Sequence, residues 1–287
     1  MPIEITNIKY TYMPGTPYER VALENIDLKI YEGSFLGIIG HTGSGKSTLI
    51  QHINGLLKPQ RGKIVVDDRD IWEKGYRRNE VRRKVGLVFQ YPEHQLFEET
   101  VFKDVAFGPR NMGLAEESIT KRVRFAMDMV GLDFDSLKEE SPFGLSGGQR
   151  RRIAIAGVLA MRPKYLILDE PTAGLDPRGR REILKHIHNM NREQGITIIL
   201  VTHNMDEVAR LADKIIVMEK GTISHSGTPE EVFSDGELLR EMGLDLPAMS
   251  SLMVKLKQQG WEVKSSVFTV EHARKEILKN LGCGENA

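Results

Sequence analysis

GIIGHTGSGKSTLI, residues 37–50, decides the fold. A continuous apolar run, FLGII, meets G-x-x-x-x-G-K-S over residues 40–47, and a helix-forming segment follows. That order of strand, glycine-rich turn and helix is what a phosphate-binding loop requires. Glycines let backbone N–H groups turn toward phosphate oxygens, and the helix N-terminus adds positive dipole. Gly40, His41, Thr42, Gly43, Ser44 and Gly45 form the loop in this reading. Lys46 reaches the β- and γ-phosphates of a nucleotide such as ATP, the Ser47 hydroxyl binds Mg²⁺, and Thr48 adds a phosphate contact. A glycine-rich turn matching by chance would lack the buried strand before it and the helix after it.

A phosphate loop needs a carboxylate to hold its metal. YLILDEP, residues 165–171, delivers Asp169 and Glu170 at the end of a buried strand, the end where open α/β sheets bind ligands. Asp169 is the Mg²⁺-side carboxylate, acting through water, and Glu170 orients or deprotonates the water that attacks the γ-phosphate. His203 follows another buried strand, ITIILV, along the same edge, placed to hydrogen-bond the γ-phosphate. Gln90 ends a third, VGLVF, within reach of Mg²⁺ and the attacking water. The nucleoside needs an aromatic platform, and Tyr10, Tyr12 and Tyr18 precede the loop. Tyr12, at its strand end, is assigned to adenine stacking; each tyrosine also fits a packing role.

The chain reads as α/β throughout. IEITNIKYTY, IDLKIY and GKIVV are short β segments, the first two alternating as half-buried strands do. Residues 100–160 turn helical, interrupted by the turn-rich LDFDSLKEESPFG, and YLILD, REILKHIHNMNREQG and ITIILV then give a βαβ rhythm that implies a parallel sheet. IIVMEKG and GTISHSG form a closing hairpin. Past about residue 235 no buried strand follows, and Leu246, Met249, Leu252, Met253 and Leu256 share one helical face. The expected organisation is a nucleotide-binding domain over 1–234, with a helical subdomain over about 92–160, and a helical extension over 235–287.

Composition narrows the function. Of 287 residues, 40% are hydrophobic, enough for an ordinary core. Basic and acidic residues number 40 each, so nothing global favours nucleic acid or an anionic bilayer. The single cysteine, Cys283, excludes an internal disulfide and a cysteine metal cluster and reads as an incidental tail residue. No basic segment followed by an apolar one opens the chain. The longest apolar stretches, residues 154–161 and 196–201, fall far short of the roughly 20 residues that span a bilayer, so a soluble chain with any membrane role through a partner is expected.

LSGGQRRR, residues 145–152, looks like a second phosphate loop in a chain that already has one. With the first loop, Gln90, LSGGQ, LILDEP, AGLD at 173–176 and His203 in this order, the chain resembles the nucleotide-binding subunit of an ABC transporter over roughly residues 3–233. Three stretches carry a closer likeness: YTYMPGTPYERVALENI, VGLVFQYPEHQLFEETVFKDVAFGPRNMG and LSGGQRRRIAIAGVLAMRPKYLILDEPTAGLDPRGR. They resemble the ATPase components of energy-coupling factor transporters, prokaryotic importers of vitamins and metals, and the second of their paired ATPases in particular.

The resemblance implies a P-loop ABC ATPase core with an N-terminal antiparallel β subdomain, a helical subdomain and a C-terminal helical extension. It implies Ser146, Gly147, Gly148 and Gln149 as a signature motif that covers ATP held by the opposite subunit, Asp176 in the D-loop, and His203 as the switch histidine. It also implies a complex at the cytoplasmic face of the membrane. Its members would be a second ABC ATPase subunit, giving a heterodimer, a transmembrane coupling protein and an exchangeable substrate-binding membrane protein. YPEHQLFEET would form the docking groove, with Glu93, Glu98 and Glu99 facing partner arginines; a solvated acidic turn is the alternative. Arg150 to Arg152 fit a solvated helix start, and the stripe from Met249 to Leu256 fits either a subunit contact or the core of the appendage. The nearer competing reading is another ABC importer, such as a cobalt or nickel system with a homodimeric ATPase. A nucleic-acid ATPase lacks support, because there is one cassette, one cysteine and no basic groove.

Overall fold

The structure, a computed structural model, describes residues 2–281; Cys283 lies outside the described residues. In chain order the strands are β1 (Ile3–Tyr12), β2 (Arg20–Ile30), β3 (Phe35–Ile39), β4 (Arg61–Val66), β5 (Arg69–Asp70), β6 (Val85–Val88), β7 (Tyr165–Asp169), β8 (Thr197–Val201), β9 (Lys214–Glu219) and β10 (Thr222–Gly227). The helices up to residue 200 are α1 (Lys46–Ile53), α2 (Arg78–Lys84), α3 (Val101–Asn111), α4 (Glu116–Met129), α5 (Phe134–Leu137), α6 (Gly147–Leu159) and α7 (Pro177–Arg192). α8 (Met205–Leu211), α9 (Pro229–Val232), α10 (Gly236–Glu241), α11 (Ala248–Gln258) and α12 (Val270–Asn280) follow.

β2, β1, β4 and β5 make a four-stranded antiparallel sheet. The second sheet runs β10-β9-β3-β8-β7-β6, parallel except for β10, which closes the edge as an antiparallel hairpin with β9. β3, β6, β7 and β8 are buried at every position, as the continuous apolar runs predict for a sheet covered on both faces. One face packs Ile38, Tyr165, Ile167 and Val201 against Ile5, Ile26 and Leu28 of the antiparallel sheet. The other packs Phe35, Leu166 and Leu200 against the helices, including Ile119, Val123, Ala126 and Met127 of α4 at three- to four-residue spacing.

Register places the site. Val88 pairs with Leu168, Asp169 with Val201, and Ile38 with Val201. These strands therefore end level, and the residues just beyond them, Gln90, Glu170, His203 and the turn from Gly40, emerge along one edge.

The C-terminal region differs from the expected stripe. Leu246 joins Leu239 and Leu244 in the main helical core. Met253 centres a small separate cluster with Val263, Val267 and Ala273, against which Met249 and Leu256 pack. Leu252 is exposed, because α11 has only one side turned to that cluster. The turn-rich connector at 132–144 contains α5, capped by the Asp133 carboxylate, which accepts from the Ser136 amide.

Candidate functional site

The turn between β3 and α1 cannot carry side chains at two of its glycines. Gly40 has φ +149, and a Cβ there would lie 2.3 Å from the Met218 carbonyl; at Gly45, with φ +107, it would lie 2.6 Å from the Ala22 carbonyl. The loop is thus wedged against β9 and β2. Lys46 Nζ donates to the Gly40 and His41 carbonyls at 2.7 and 2.9 Å, holding its ammonium in the ring of the loop. Burial pulls Lys46 below the usual lysine value, opposed by the charges of Glu170 and Asp169. The Ser44 hydroxyl is fully buried with no hydrogen-bond partner among the described residues, an arrangement that calls for an outside acceptor or donor.

Ser47 Oγ donates to Asp169 Oδ2 at 3.4 Å, so the two residues assigned to Mg²⁺ already converge. Burial, followed by the charge of Glu170, pushes the Asp169 carboxyl up to about 6. Such a pair of crowded carboxylates fits a site that receives positive charge. Glu170 takes φ +51, left-handed for a non-glycine residue, with its amide donating to the Val201 carbonyl at 2.9 Å. Its Oε1 lies 2.8 Å from His203 Nδ1.

These residues surround one cleft of about 750 Å³ that also reaches Tyr12, Gln90 and the loop from Gly40 to Thr48. Tyr12 stands edge-on to Tyr10, with ring centroids 4.9 Å apart, and its hydroxyl is 3.3 Å from Thr48 Oγ1. Thr48 thus lines the cleft beside Ser47, with its hydroxyl next to the tyrosine. Tyr18, 79% exposed, does not line the cleft.

Ser146, Gly147, Gly148 and Gln149 lie away from this cleft. They open α6 with a capping box: the Gln149 amide donates to Ser146 Oγ, and Gln149 Oε1 accepts from the Ser146 amide at 3.1 Å. Asp176 likewise caps α7, accepting from the Arg178 and Gly179 amides at 2.8 and 2.9 Å. The capping role of both residues went unread in the sequence, although S-x-x-Q and D-P are its signals.

Two expectations are corrected. Arg151 is no part of a solvated helix start: it is 1% exposed and forks onto Glu93, Nε to Oε2 at 3.0 Å and the terminal nitrogen to Oε1 at 2.9 Å. Glu93 is thereby taken from any partner arginine, and Glu99 pairs with Lys103 in the same chain at 2.5 Å. What lies open near Glu98 is an apolar groove of about 640 Å³ between the segment 95–97, α3 and α6, lined by Phe97, Phe107 and Met161. Sequence reasoning also missed Glu207, 1% exposed, which accepts from the Thr172 hydroxyl at 2.9 Å and the Thr202 hydroxyl at 3.2 Å. Burial pushes its carboxyl up.

Among the described residues no helix is long and apolar enough to cross a membrane. A family model described as ABC transporter matches residues 23–173. The energy-coupling factor transporter ATP-binding protein EcfA2 of Clostridium acetobutylicum is 57% identical over 98% of both chains. The protein of that name from Caldanaerobacter subterraneus is 55% identical, again over 98% of both. Among solved structures, cbiO1 of Clostridium perfringens, part of the ABC transporter complex cbiONQ, superposes with a TM-score of 0.74 at 43% identity, covering 88% of this chain and 98% of its own. A post-hydrolysis dimer of the cassette MJ0796 bound to ADP and Pi gives 0.70 at 30% identity, over 79% of this chain and 98% of its own.

Proposed function

Because this chain belongs to the ABC transporter family, and within it to the ATP-binding proteins of energy-coupling factor transporters, we propose how its residues divide the work of hydrolysing ATP. It is an ATPase whose hydrolysis drives transport; the observation that carries the assignment of roles is the convergence of Lys46, Ser47, Asp169, Glu170 and His203 on one cleft. Lys46 and the loop amides hold the β- and γ-phosphates, and Tyr12 stacks on adenine. Ser47, Asp169 and Gln90 would hold Mg²⁺, whose charge neutralises that developing on the phosphoryl oxygens. Glu170 accepts a proton from the attacking water. His203, hydrogen-bonded to Glu170 through Nδ1, turns Nε2 toward the γ-phosphate.

Ser146 to Gln149 lie off this chain's own cleft, which supports their action on ATP held by a second ATPase subunit, with Asp176 at the same seam. ATP contacts both chains only when the pair is closed, so binding draws the pair together and hydrolysis releases it. We assign residues 1–234 to the ATPase and 235–287 to a helical extension, whose Leu239, Leu244 and Leu246 pack into the main core. The apolar groove beside Phe97 and Phe107 receives a transmembrane coupling protein at the cytoplasmic face, and that protein in turn works with a substrate-binding membrane protein of a vitamin or metal importer. The second ATPase is a different chain, giving a heterodimer.

Purifying the tagged chain from solubilised membranes and identifying its partners by mass spectrometry tests this reading. A second ATPase and an integral membrane protein in stoichiometric amounts support it. Recovery of the chain as a homodimer would refute the heterodimer, and recovery without a membrane protein would refute the docking.

A further inference from the structure

A guanidinium at the exposed start of a helix has no need to be buried, yet Arg151 is. Besides its fork onto Glu93, its third nitrogen donates to the Pro171 carbonyl at 3.1 Å and to the Ala173 carbonyl, and its Cζ lies 5.8 Å from the centre of the Tyr91 ring. Its partners come from two distant segments. Glu93 belongs to the turn that leaves Gln90 and runs to Phe97 on the wall of the apolar groove. Pro171–Ala173 is the turn directly after Glu170. On its other side Thr172 is held by Glu207, which also holds Thr202, the neighbour of His203.

Burying this ion pair stabilises the fold little, because the desolvation cost offsets most of the attraction and an apolar side chain of similar size would serve as well. What the pair does give is geometry, since a planar fork matched to one carboxylate and two carbonyls fits a single arrangement of the segments it joins. The structure assigns to Arg151 a positioning role: it ties the turn that carries Glu170 to Glu93, so that displacement of the 91–97 segment by a protein seated in the groove reaches the carboxylate facing the attacking water. The assignment rests on the reading of that groove as the docking surface.

The test uses the complex recovered with the full chain. Steady-state ATP hydrolysis is measured for the wild type, Arg151→Lys, Glu93→Gln and the double variant, with and without the membrane protein. Lysine keeps the charge without the fork, and glutamine keeps the size and an acceptor, so Glu93→Gln carries the test if Arg151→Lys fails to fold. Each single variant is expected to lower kcat of the complex about tenfold with KM for ATP within about twofold, and the double variant is expected to lose no more than either single. Wild-type kcat in both singles, additive losses, or a change confined to KM would overturn the assignment. Loss of the membrane protein from the variants with hydrolysis by the free chain unchanged would place the pair in docking itself and overturn it too. A wild-type chain that captures no membrane protein would instead refute the docking reading, and the coupling with it.

Discussion

His203 Nδ1 and Glu170 Oε1 lie 2.8 Å apart at the ends of adjacent parallel strands, although 33 residues separate them in the chain. Both residues line the cleft, the carboxylate faces Nδ1 as the acceptor, and Glu170 sits on left-handed backbone at φ +51. Replacing His203 by alanine removes the partner of Glu170 and, in the proposed role, a contact to the γ-phosphate. The expected loss in kcat is about 10²-fold or more, with KM for ATP little changed, measured by steady-state phosphate release. A change in KM alone would place His203 in ground-state binding.

Asp169 gives a pH-dependent prediction. Its carboxyl, pushed up to about 6 chiefly by burial, holds a proton more tightly in the folded chain than in the unfolded one, whose value is near the usual 3.8. The group therefore favours folding fully below about pH 4, and that contribution is lost as pH rises through about 6. Above that, the nucleotide- and metal-free chain carries a cost on the order of 3 kcal/mol at this residue. Asp169→Asn is expected to melt higher than wild type at pH 8, to match it near pH 4, and to lose Mg²⁺-dependent hydrolysis. A lower melting temperature at pH 8 would contradict the assignment of the strain to this carboxylate.

Adenine stacking on Tyr12 predicts that Tyr12→Ala weakens ATP binding about 5- to 150-fold, from a stacking worth of roughly 1–3 kcal/mol per base. Tyr18→Ala, outside the cleft, is expected to bind as wild type does. Fluorescent-nucleotide titration of both variants decides it, and equal losses would contradict the choice of Tyr12.

The main core draws on residues past 234. A chain ending at 234 loses Leu239, Leu244 and Leu246 from the main core, each truncation of this kind costing about 2–5 kcal/mol. A chain ending at 247 keeps them and loses the small cluster around Met253. The first is expected to melt well below the second, and light scattering on the second reports whether α11 and α12 hold subunits together. Equal melting temperatures would contradict the shared core.

Residues that announce themselves by period and spacing were readable from the sequence. FLGII, YLILD and TIILV are apolar throughout because parallel strands are covered on both faces, and level strand ends then bring Lys46, Asp169, Glu170 and His203 together. Arg151 and Glu207 were not readable. Each is a charge in a polar-looking stretch, RRR and NMDEV, and its burial depends on partners 58 and 35 residues away that no local pattern marks. For the same reason the sequence alone reads Glu93 as a docking charge and leaves Leu252, exposed in the structure, between a subunit contact and a core position. A helix period shows which residues share a face, and only packing shows which face is covered.

The most direct test of the account is ATP turnover by the purified complex carrying Glu170→Gln. Glutamine keeps the size of the side chain and its contact with His203 but cannot accept the proton of the attacking water. Turnover is expected to fall by about 10²- to 10⁴-fold, with ATP binding retained and the nucleotide trapped between the two subunits. Turnover within about twofold of wild type would remove Glu170 from the reaction and contradict the account at its centre.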